Sequence, residues 1–296
     1  MSILKKVFNK IVNNKVQVTN NIGRTLWVWN TDSFYTERLS AGPYQKQNLI
    51  FARKLCPNPN TILDIGMNIG MNTIEYSTWA KRVIGFEPVT STYNLALDNI
   101  ADNKQKTILD KGWFKLDDGS FASLNMTGKI ETHNIALGPT NSSIEMHIKK
   151  NDGHNRVAND NGEWTSPTGK PIKRNEGYKR APAIQKTLDS FNYKNVDYIK
   201  IDVEGYELCV LQGAKKTIER CRPIIQVECV AIQPTAFGQN IQQLIDFLLD
   251  KKYVFCTCDG VIQPREFQHV KKKMDRFFIP KEMIQKKYFK SLLTNN

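Results

Sequence analysis

The stretch Thr61-Ile-Leu-Asp-Ile-Gly-Met-Asn-Ile-Gly-Met-Asn-Thr73 joins a short apolar run to two glycines that stand four positions apart. The run contains Asp64, and Gly66 and Gly70 follow before a segment that is compatible with a helix. Glycine lets a backbone turn tightly and approach a ligand, because no Cβ stands in the way. The pattern therefore predicts a parallel strand that turns into a helix beneath a bound adenosyl ligand.

The spacing of these glycines indicates which adenosyl ligand the turn holds. It reads Asp-x-Gly-x-x-x-Gly, whereas dinucleotide-binding folds carry Gly-x-Gly-x-x-Gly. A pyrophosphate needs a tighter cradle than a nucleoside that carries a sulfonium and an amino acid, so the spacing favours S-adenosylmethionine (SAM) over NAD. We expect Asp64 to lie close to the amino group of SAM. The methionine part is expected against Gly66, Met67, Asn68, Gly70 and Asn72.

A second acidic residue follows at the spacing of a ribose-binding carboxylate. Val83-Ile-Gly-Phe-Glu87 reads as a strand that ends in an acid, 17 positions after Gly70. A carboxylate there can accept two hydrogen bonds from ribose hydroxyls, as the acidic residue of dinucleotide-binding folds does. Pro88 then leads into the next helix. We therefore expect Glu87 and Pro88 to belong to the SAM site.

The carboxylates expected to carry the chemistry lie in Val196-Asp-Tyr-Ile-Lys-Ile-Asp-Val-Glu-Gly-Tyr-Glu-Leu208 and just beyond it. Asp202 falls at the carboxyl end of a predicted strand, where open α/β sheets bind ligands. Glu204 follows in the loop and Glu228 ends the next strand, so all three are expected at one rim. Such a cluster raises at least one pKa, which suits a general base near neutral pH. Orienting SAM, binding a divalent metal ion and capping the next helix stay open as roles for Asp202.

His154 is the second candidate for the base. It lies in the polar segment Asn151-Asp-Gly-His-Asn-Arg156, which is expected to cover the sulfonium of SAM. A neutral imidazole there can take the proton of a hydroxyl during methyl transfer. A solvent-exposed loop histidine is equally compatible with the sequence. The candidate catalytic residues are therefore Asp202, His154, Glu204 and Glu228.

The composition is that of an ordinary globular protein. Of the 296 residues, 40% are hydrophobic and 24% are charged, and no apolar run reaches the about 18 residues of a membrane span. Lysines interrupt the first ten residues, so no secretory segment is predicted. The six cysteines are interpreted as reduced thiols of a cytoplasmic protein.

The formal net charge of +13 is the one anomaly in this composition. Basic residues cluster within residues 170–180 and again within 271–276. A nucleic-acid partner fits such clusters, and so does an acidic or phosphorylated glycan. Because the chain is also rich in Asn and Ile, a surface coated with lysine is the preferred interpretation.

Apolar strands alternate with helical segments from residue 61 onward, which predicts a parallel sheet with crossover helices. The seven predicted strands lie at 61–65, 82–87, 133–137, 196–202, 223–229, 252–257 and 276–280. The last of them is expected to return to the sheet beside 252–257 as an antiparallel edge strand. The helices between the strands are predicted at 71–80, 90–102, 205–220 and 239–250. Two stretches do not fit this alternation, an insertion at 103–131 and a polar loop at 150–180.

Three runs together carry a resemblance to a known family, namely Ile62-Leu-Asp-Ile-Gly-Met-Asn-Ile-Gly70, Gly85-Phe-Glu-Pro88 and Ile199-Lys-Ile-Asp-Val-Glu-Gly-Tyr-Glu207. They resemble the FkbM family of SAM-dependent methyltransferases, and the resemblance covers roughly residues 60–230. It implies a class I SAM-dependent methyltransferase (Rossmann-like) fold and O-methylation, commonly of a sugar hydroxyl in a glycan, polysaccharide or natural product. The stretches 103–131 and 150–180 depart from the family pattern, so we expect them to select the acceptor.

Residues 1–58 are predicted to be an extension that precedes the methyltransferase domain of residues 59–296. Apolar side chains within residues 3–12 fall on one helical face with lysines opposite, which predicts an amphipathic helix. Such a helix is expected to dock on the core or on a partner subunit of a homodimer, with a membrane surface as the alternative. Thr25–Trp29 is predicted to be a strand, and Gln45–Leu55 a helix.

A nucleic-acid methyltransferase is the alternative function that the charge supports. Enzymes that methylate a ribose 2′-oxygen use a Lys-Asp-Lys-Glu arrangement, which Lys200, Asp202, Lys215 and Glu228 loosely echo. We expect Lys200, however, to alternate away from the face that carries Asp202. A scaffold without activity is a third hypothesis, and the complete set of SAM residues argues against it.

Overall fold

One large sheet dominates the protein, and smaller sheets lie beside it. The computed structural model describes residues 8–12, 14–20, 23–29, 39, 45–104, 125–149, 155–158, 164–165, 171–172, 178–229, 237, 240–266 and 274–295. Its strands are β1 Phe8–Val12, β2 Lys15–Thr19, β3 Thr25–Trp29, β4 Thr61–Ile65, β5 Arg82–Phe86, β6 Lys129–His133, β7 Ala136–Leu137, β8 Ser142–Lys149, β9 Arg156–Val157, β10 Trp164–Thr165, β11 Pro171–Ile172, β12 Tyr178–Lys186, β13 Val196–Ile201, β14 Ile224–Cys229, β15 Tyr253–Cys256, β16 Val261–Ile262, β17 Met274–Pro280 and β18 Thr294–Asn295. Its α-helices are Lys46–Leu55, Met71–Tyr76, Thr90–Lys104, Glu207–Gln212, Lys215–Cys221, Ile241–Leu249, Lys281–Ile284 and Lys287–Leu292.

The large sheet has the strand order β18-β16-β15-β17-β14-β13-β4-β5-β6. The five strands β14, β13, β4, β5 and β6 are parallel to one another, so the predicted mostly parallel sheet is confirmed. Helices connect successive parallel strands, as right-handed crossover connections require. The protein therefore has the Rossmann-like α/β fold of class I methyltransferases.

The prediction of seven strands with an antiparallel edge is wrong in two respects. The sheet has nine strands, because β16 and β18 extend it beyond β15. The antiparallel strand β17 is internal, since it pairs with β14 on one side and with β15 on the other. Phe277, Phe278 and Ile279 of β17 are all fully buried. These buried side chains fit an edge or an internal strand equally well, and the pairing on both sides places β17 inside the sheet.

The third parallel strand ends where it was predicted to begin. It is β6, Lys129–His133, whereas the prediction was 133–137. The chain leaves the sheet at Asn134, whose Nδ2 donates to the backbone oxygens of Glu87 and Pro88 at 2.8 and 3.1 Å. The predicted residues Ala136–Leu137 instead form β7, which pairs with β12 in a separate sheet.

The predicted helix at 205–220 is divided into two helices, Glu207–Gln212 and Lys215–Cys221. The division falls at Gly213. A Cβ on Gly213 would overlap the backbone oxygen of Gly138, so this position tolerates only glycine at such a close approach. The division therefore follows from the packing of two distant segments, which helical periodicity does not encode.

A three-stranded antiparallel sheet, β1-β2-β3, forms the N-terminal part of the described chain. Phe8–Val12 is its first strand, so the prediction of an amphipathic helix is wrong for these residues, and residues 1–7 lie outside the described ones. Asn14 has a φ of 64°, the left-handed conformation that closes a two-residue hairpin. Residues 8–12 therefore cannot dock on the core or on a partner subunit as a helix. The predicted strand Thr25–Trp29 is confirmed, and the predicted helix is observed as Lys46–Leu55.

Buried polar contacts join the N-terminal sheet to residues 66–70, which we call the glycine turn, and to the helix Met71–Tyr76 that follows it. Arg24 is buried, and its Nε and Nη2 donate to Glu75 Oε1 and Oε2 at 2.8 and 3.0 Å. Asn99 Oδ1 accepts from the Trp27 backbone N–H at 2.5 Å, and Asn99 Nδ2 donates to the Ile69 backbone oxygen at 2.9 Å. Because Ile69 belongs to the glycine turn, the N-terminal sheet supports the segment that forms the candidate site.

A second sheet, β7-β12-β8-β9, contributes to the cavity at the carboxyl ends of the parallel strands. Its longest pairing joins β12 and β8 from Tyr178 opposite Lys149 to Gln185 opposite Ser142. The prediction of a plain loop at 150–180 is therefore wrong at 156–157, 164–165, 171–172 and from 178 onward, where the chain forms strands. In the predicted insertion 103–131, residues 105–124 lie outside the described part.

Apolar clusters cover both faces of the large sheet. Along β4 the clusters alternate, with Leu63 and Ile65 on one face and Ile62 on the other. All six cysteines belong to the described residues, and all are free thiols. Across the described ranges, no helix combines the length and hydropathy needed to cross a bilayer.

Candidate active site

Gly66 brings the first and third sequence motifs into contact. Its φ is 80°, in the left-handed region, and its N–H donates to the Phe86 backbone oxygen at 3.0 Å. A Cβ at this position would overlap the backbone oxygen of Asp202. The Asp202 N–H in turn donates to the Ile65 backbone oxygen at 3.0 Å. The end of β13 therefore lies directly against the glycine turn, as only a residue without a side chain permits.

A cavity of about 950 Å³, counted with its open mouth, lies above this turn. It lies at the carboxyl ends of the parallel strands, where open α/β sheets bind ligands. Its walls come from the glycine turn, the end of β5, the loop after β13 and the second sheet, which contributes Met146, Asn155 and Val157. The predicted residues that line it are Gly66, Met67, Asn68, Asn72, Glu87, Pro88, Asp202 and Glu204.

Three other predicted site residues do not line the cavity. Asp64 is 0% exposed and lies behind the cavity wall, where its Oδ2 accepts from Thr73 Oγ1 at 2.6 Å. Gly70 has a φ of 84° and precedes the helix Met71–Tyr76. Glu228 is buried on β14, and one of its oxygens lies within 4.8 Å of oxygens of Asp202 and Glu204. His154 lies outside the described residues.

Asn72 provides a buried acceptor that is available to a ligand. Its side chain lines the cavity and is only 7% exposed. Its Oδ1 has no hydrogen-bond partner within the part of the chain that the structure describes. Buried polar atoms are almost always paired in folded proteins. The atom therefore fits a ligand that brings an N–H or O–H donor into the cavity.

Glu87 is a buried carboxylate that also lines the cavity. Its Oε2 accepts from the Asn68 backbone N–H at 3.2 Å, and its Oε1 accepts from the Val89 N–H at 2.9 Å. Burial, which these hydrogen bonds only partly offset, raises the pKa of Glu87 from 4.5 to about 7. Burial likewise raises the pKa of Glu207 from 4.5 to about 7.

The raised pKa of Glu87 gives a prediction for stability. Between pH 4.5 and about 7 the folded state holds a proton that the unfolded chain has released, so the free energy of unfolding falls as the pH rises. A shift of this size corresponds to about 3 kcal/mol over that interval. Urea unfolding of Glu87→Gln between pH 4.5 and 8 is expected to show a decline about 3 kcal/mol smaller than that of the wild type, and the raised pKa values of Glu207 and Asp64 contribute to the decline that remains. An unchanged decline in this variant would contradict the assignment.

Lys200 connects two of the predicted carboxylates. It is 2% exposed, and its Nζ lies 3.1 Å from Asp202 Oδ2 and 3.9 Å from Asp64 Oδ1. Burial disfavours the ammonium, but the neighbouring carboxylates outweigh burial and raise the pKa of Lys200 above its ordinary value. The expectation that Lys200 points away from Asp202 is wrong, because residues i and i+2 of a strand share a face.

The three predicted carboxylates converge. One oxygen each of Asp202, Glu204 and Glu228 lies within 4.8 Å of the others, and we call these residues the carboxylate rim. Glu204 and Glu228 are buried, whereas Asp202 is partly exposed to the cavity. The rim can accept hydrogen bonds from several donors of one ligand, and carboxylates in this arrangement are also able to hold a divalent cation.

Several residues of the site escaped sequence reasoning. Glu207 accepts hydrogen bonds from the loop that carries the rim, with its Oε1 at 3.0 Å from the Gly205 N–H. Tyr206 lines the cavity, and its hydroxyl donates to Gln185 Oε1 at 3.0 Å. The ring of Tyr206 packs edge-on against Phe237, with ring centroids 4.9 Å apart. The signals for Lys200 and Glu207 are present in the sequence, since Lys200 precedes Asp202 by two positions and Glu207 closes the Asp-Val-Glu-Gly-Tyr-Glu run.

The model of one protein family, described as Methyltransferase FkbM domain, matches residues 64–255 of the chain. These residues contain the glycine turn, Glu87, Lys200 and the carboxylate rim. No curated protein sequence matches this chain.

Several solved structures are similar to this chain at low sequence identity. Methyltransferase FkbM from Methylobacillus flagellatus is 14% identical with a TM-score of 0.45, over 82% of this chain and 52% of that one. The match thus spans about half the length of that protein. An O-methyltransferase from Bacillus cereus in complex with SAH is 13% identical with a TM-score of 0.39, over 80% of each chain. An rRNA methylase from Streptococcus thermophilus is 12% identical with a TM-score of 0.40, over 80% of this chain and 95% of that one.

Proposed function

The chain belongs to the FkbM methyltransferase domain family, and we propose that it transfers a methyl group from SAM to a sugar hydroxyl of a glycan, polysaccharide or glycosylated small molecule. The observation that carries this proposal is the convergence of Asp202, Glu204 and Glu228 beside the cavity above Gly66. Carboxylates beside a donor cavity suit methylation of a hydroxyl, because a carboxylate can take up the proton that the hydroxyl loses.

The polar groups of the cavity fit SAM. When bound, SAM supplies a methyl carbon on a positively charged sulfur, which is a reactive donor in its own right. Asn72 Oδ1 would accept a hydrogen bond from the amino group, which gives this buried oxygen a partner. The Glu87 carboxylate would accept hydrogen bonds from the ribose hydroxyls, and this interaction favours its ionised form. Met67, Asn68 and Pro88 line the same cavity and would enclose the ligand.

Asp202 is the proposed base for the acceptor hydroxyl. It lines the cavity, and the Lys200 ammonium at 3.1 Å fixes the direction of its carboxylate. A carboxylate that is already oriented can accept the proton of the hydroxyl without losing further conformational entropy during methyl transfer. Glu204 and Glu228 would accept hydrogen bonds from neighbouring hydroxyls of the acceptor, which a sugar offers on adjacent carbons. Asp64 would not contact the acceptor, but its carboxylate would help to hold the Lys200 ammonium in place.

Methylation of a nucleic acid is the second candidate function, because the net charge of +13 favours an anionic partner. The carboxylate rim favours the sugar, since a phosphate brought to the rim meets like charges. The two candidates differ in a direct assay, in which the protein is incubated with methyl-labelled SAM and a panel of sugars, glycans, RNA and DNA. Mass spectrometry is expected to find the label on a sugar hydroxyl. Label on a base or ribose of the oligonucleotides alone would replace the sugar with the nucleic acid.

Asp202→Asn tests the role of the base. The amide keeps the shape of the carboxylate but cannot take up a proton, so turnover on the sugar acceptor is expected to fall by about 100-fold or more. SAM binding, measured by titration calorimetry, is expected to stay within about threefold of wild type. Equal losses of binding and turnover would instead make Asp202 a ligand of the cofactor.

Asp197→Asn is the matched control for this variant. Asp197 lies on the same strand at its opposite end, where its Oδ2 accepts from the Asn60 and Thr61 backbone N–H groups at 2.7 and 3.1 Å. An asparagine oxygen can accept the same hydrogen bonds. Turnover of this control is therefore expected to match wild type. Full activity of Asp202→Asn alongside it would remove Asp202 as the base.

A further inference from the structure

The loop that carries Glu204 has a backbone that is unfavourable for its residues. Glu204 has a φ of 55° and Gly205 a φ of 102°, so two consecutive residues are in the left-handed region. Glycine adopts this conformation freely, whereas a glutamate is strained there. Such strain persists only where the surrounding structure fixes the backbone. Something near this loop must therefore hold Glu204 in place.

Glu207 provides that support. Its side chain is 2% exposed, and its Oε1 accepts from the Val203 N–H at 3.2 Å and from the Gly205 N–H at 3.0 Å. These two donors flank Glu204 in the chain. Neighbouring backbone N–H groups that converge on one oxygen form a concave anion site, here filled by the protein's own carboxylate. Glu207 therefore bridges the loop on both sides of Glu204.

The rim itself works against this loop conformation. The Glu204 carboxylate lies within 4.8 Å of those of Asp202 and Glu228, so like charges are close together in a largely buried place. Their repulsion favours any loop conformation that carries Glu204 away from the rim. The hydrogen bonds to Glu207 oppose that movement, because they require the left-handed turn at Glu204.

We propose that Glu207 is the positioning residue that keeps Glu204 at the carboxylate rim and thereby sets the fit of the acceptor. The inference rests on the proposed function, since the rim is where the acceptor is proposed to bind. Glu207 contacts the backbone of the loop and acts through Glu204. It is therefore a positioning residue, and its effect must depend on the presence of the Glu204 carboxylate.

A double-mutant cycle tests this dependence. Glu207→Met removes the acceptor oxygen at similar volume, and it is expected to lower kcat/KM for the acceptor by about 10- to 100-fold while the Kd of SAM changes by less than about twofold. Glu207→Gln retains an oxygen for both N–H groups and is expected to stay within about threefold of wild type. In a Glu204→Asn background, Glu207→Met is expected to have no further effect beyond about twofold.

Two outcomes of this cycle would overturn the inference. One is an equal loss from Glu207→Met in both backgrounds, which would mean that Glu207 supports the fold in general. The other is a loss in folded Glu207→Gln as large as in Glu207→Met, which would mean that its charge matters and its hydrogen bonds do not. Glu219→Met is the control, because Glu219 is exposed and pairs with Lys251 away from the cavity. It is expected to match wild type.

Amide hydrogen exchange provides a readout that requires no turnover. The Val203 and Gly205 amides of the wild-type protein are expected to exchange slowly, and Glu207→Gln is expected to preserve this protection. Glu207→Met is expected to exchange about tenfold faster or more at both amides. Rapid exchange at both amides in the wild type would overturn the inference even if Glu207→Met does not fold. A wild-type protein that methylates no sugar but protects these amides would contradict the proposed function and leave the role of Glu207 in holding the loop supported.

Discussion

Replacement of Lys200 by methionine is expected to lower the free energy of unfolding by about 3–5 kcal/mol at pH 7. Lys200 is 2% exposed and lies between Asp202 and the fully buried Asp64. Without the ammonium, the buried Asp64 carboxylate has lost the positive charge beside it. A buried charge without its counter-charge is strongly destabilising. Urea unfolding at pH 7 measures the loss. Turnover is expected to fall as well, because Lys200 fixes the direction of the Asp202 carboxylate.

The loss of stability in Lys200→Met is expected to shrink as the pH falls. Burial raises the pKa of Asp64, and the nearby Lys200 lowers it in part. Removal of Lys200 therefore raises the pKa of Asp64 further. A carboxyl group whose pKa is raised in the folded state contributes most to stability when both states are protonated, and that contribution is lost as the pH rises. The deficit is therefore largest at neutral and higher pH.

The double variant Lys200→Met/Asp64→Asn is the control for the charge pair. It removes the carboxylate that Lys200→Met leaves behind, so it is expected to recover at least about half of the lost stability. A double variant as unstable as the sum of its single variants would contradict the pairing. Wild-type stability of Lys200→Met at pH 7 would contradict it directly.

Gly66→Ala has the second large expected effect. The φ of 80° at Gly66 is strained for alanine, and the new Cβ would overlap the Asp202 backbone oxygen. The strands β4 and β13 must separate at this end to admit it, so the free energy of unfolding is expected to fall by at least about 2 kcal/mol. Because the same turn forms the cavity floor, the Kd of SAM is expected to rise by at least about tenfold. Urea unfolding and titration calorimetry measure the two effects.

Gly23→Ala separates backbone strain from close approach. Gly23 has a φ of 92°, similar to that of Gly66, but a Cβ there meets no described atom within 4 Å. This control is expected to lose only the about 1 kcal/mol that a left-handed alanine costs, and to bind SAM as the wild type does. If Gly66→Ala were no less stable than Gly23→Ala, the close contact between Gly66 and Asp202 would not contribute to the stability of the fold.

The parts of the fold that local sequence encodes were predictable. The strand β4, the glycine turn and the following helix are adjacent in the chain, so their pattern is complete within about 16 residues. The position of β17 between β14 and β15 was not predictable, because its apolar residues fit an edge or an internal strand equally well. The apolar face within residues 3–12 likewise suited a helix, but residues 8–12 form a strand because they pair with β2. Tertiary pairing decides such cases over local periodicity.

The site likewise has features that sequence rules predict and features that depend on tertiary contacts. The convergence of Asp202, Glu204 and Glu228 follows from a general rule, since neighbouring parallel strands end at the same edge of a sheet. The ion pair of Lys200 with Asp202 follows from strand alternation, because residues two positions apart share a face; the expectation that they lie on different faces was wrong. The support from Glu207 depends on hydrogen bonds to backbone N–H groups, and side-chain spacing does not reveal them. The cavity residues Met146 and Val157 come from the second sheet, where no strand was predicted for the stretch with Met146 and a polar loop was predicted for the stretch with Val157.

A crystal structure with bound S-adenosylhomocysteine, the product of methyl donation, tests the central claim most directly. We predict that the ligand occupies the cavity above Gly66, with its ribose hydroxyls on Glu87, its amino group on Asn72 Oδ1 and its sulfur facing Asp202 and Glu204. Such a structure would place the donor beside the carboxylate rim. Ligand bound elsewhere, or in the cavity with its sulfur turned away from the rim, would contradict the account.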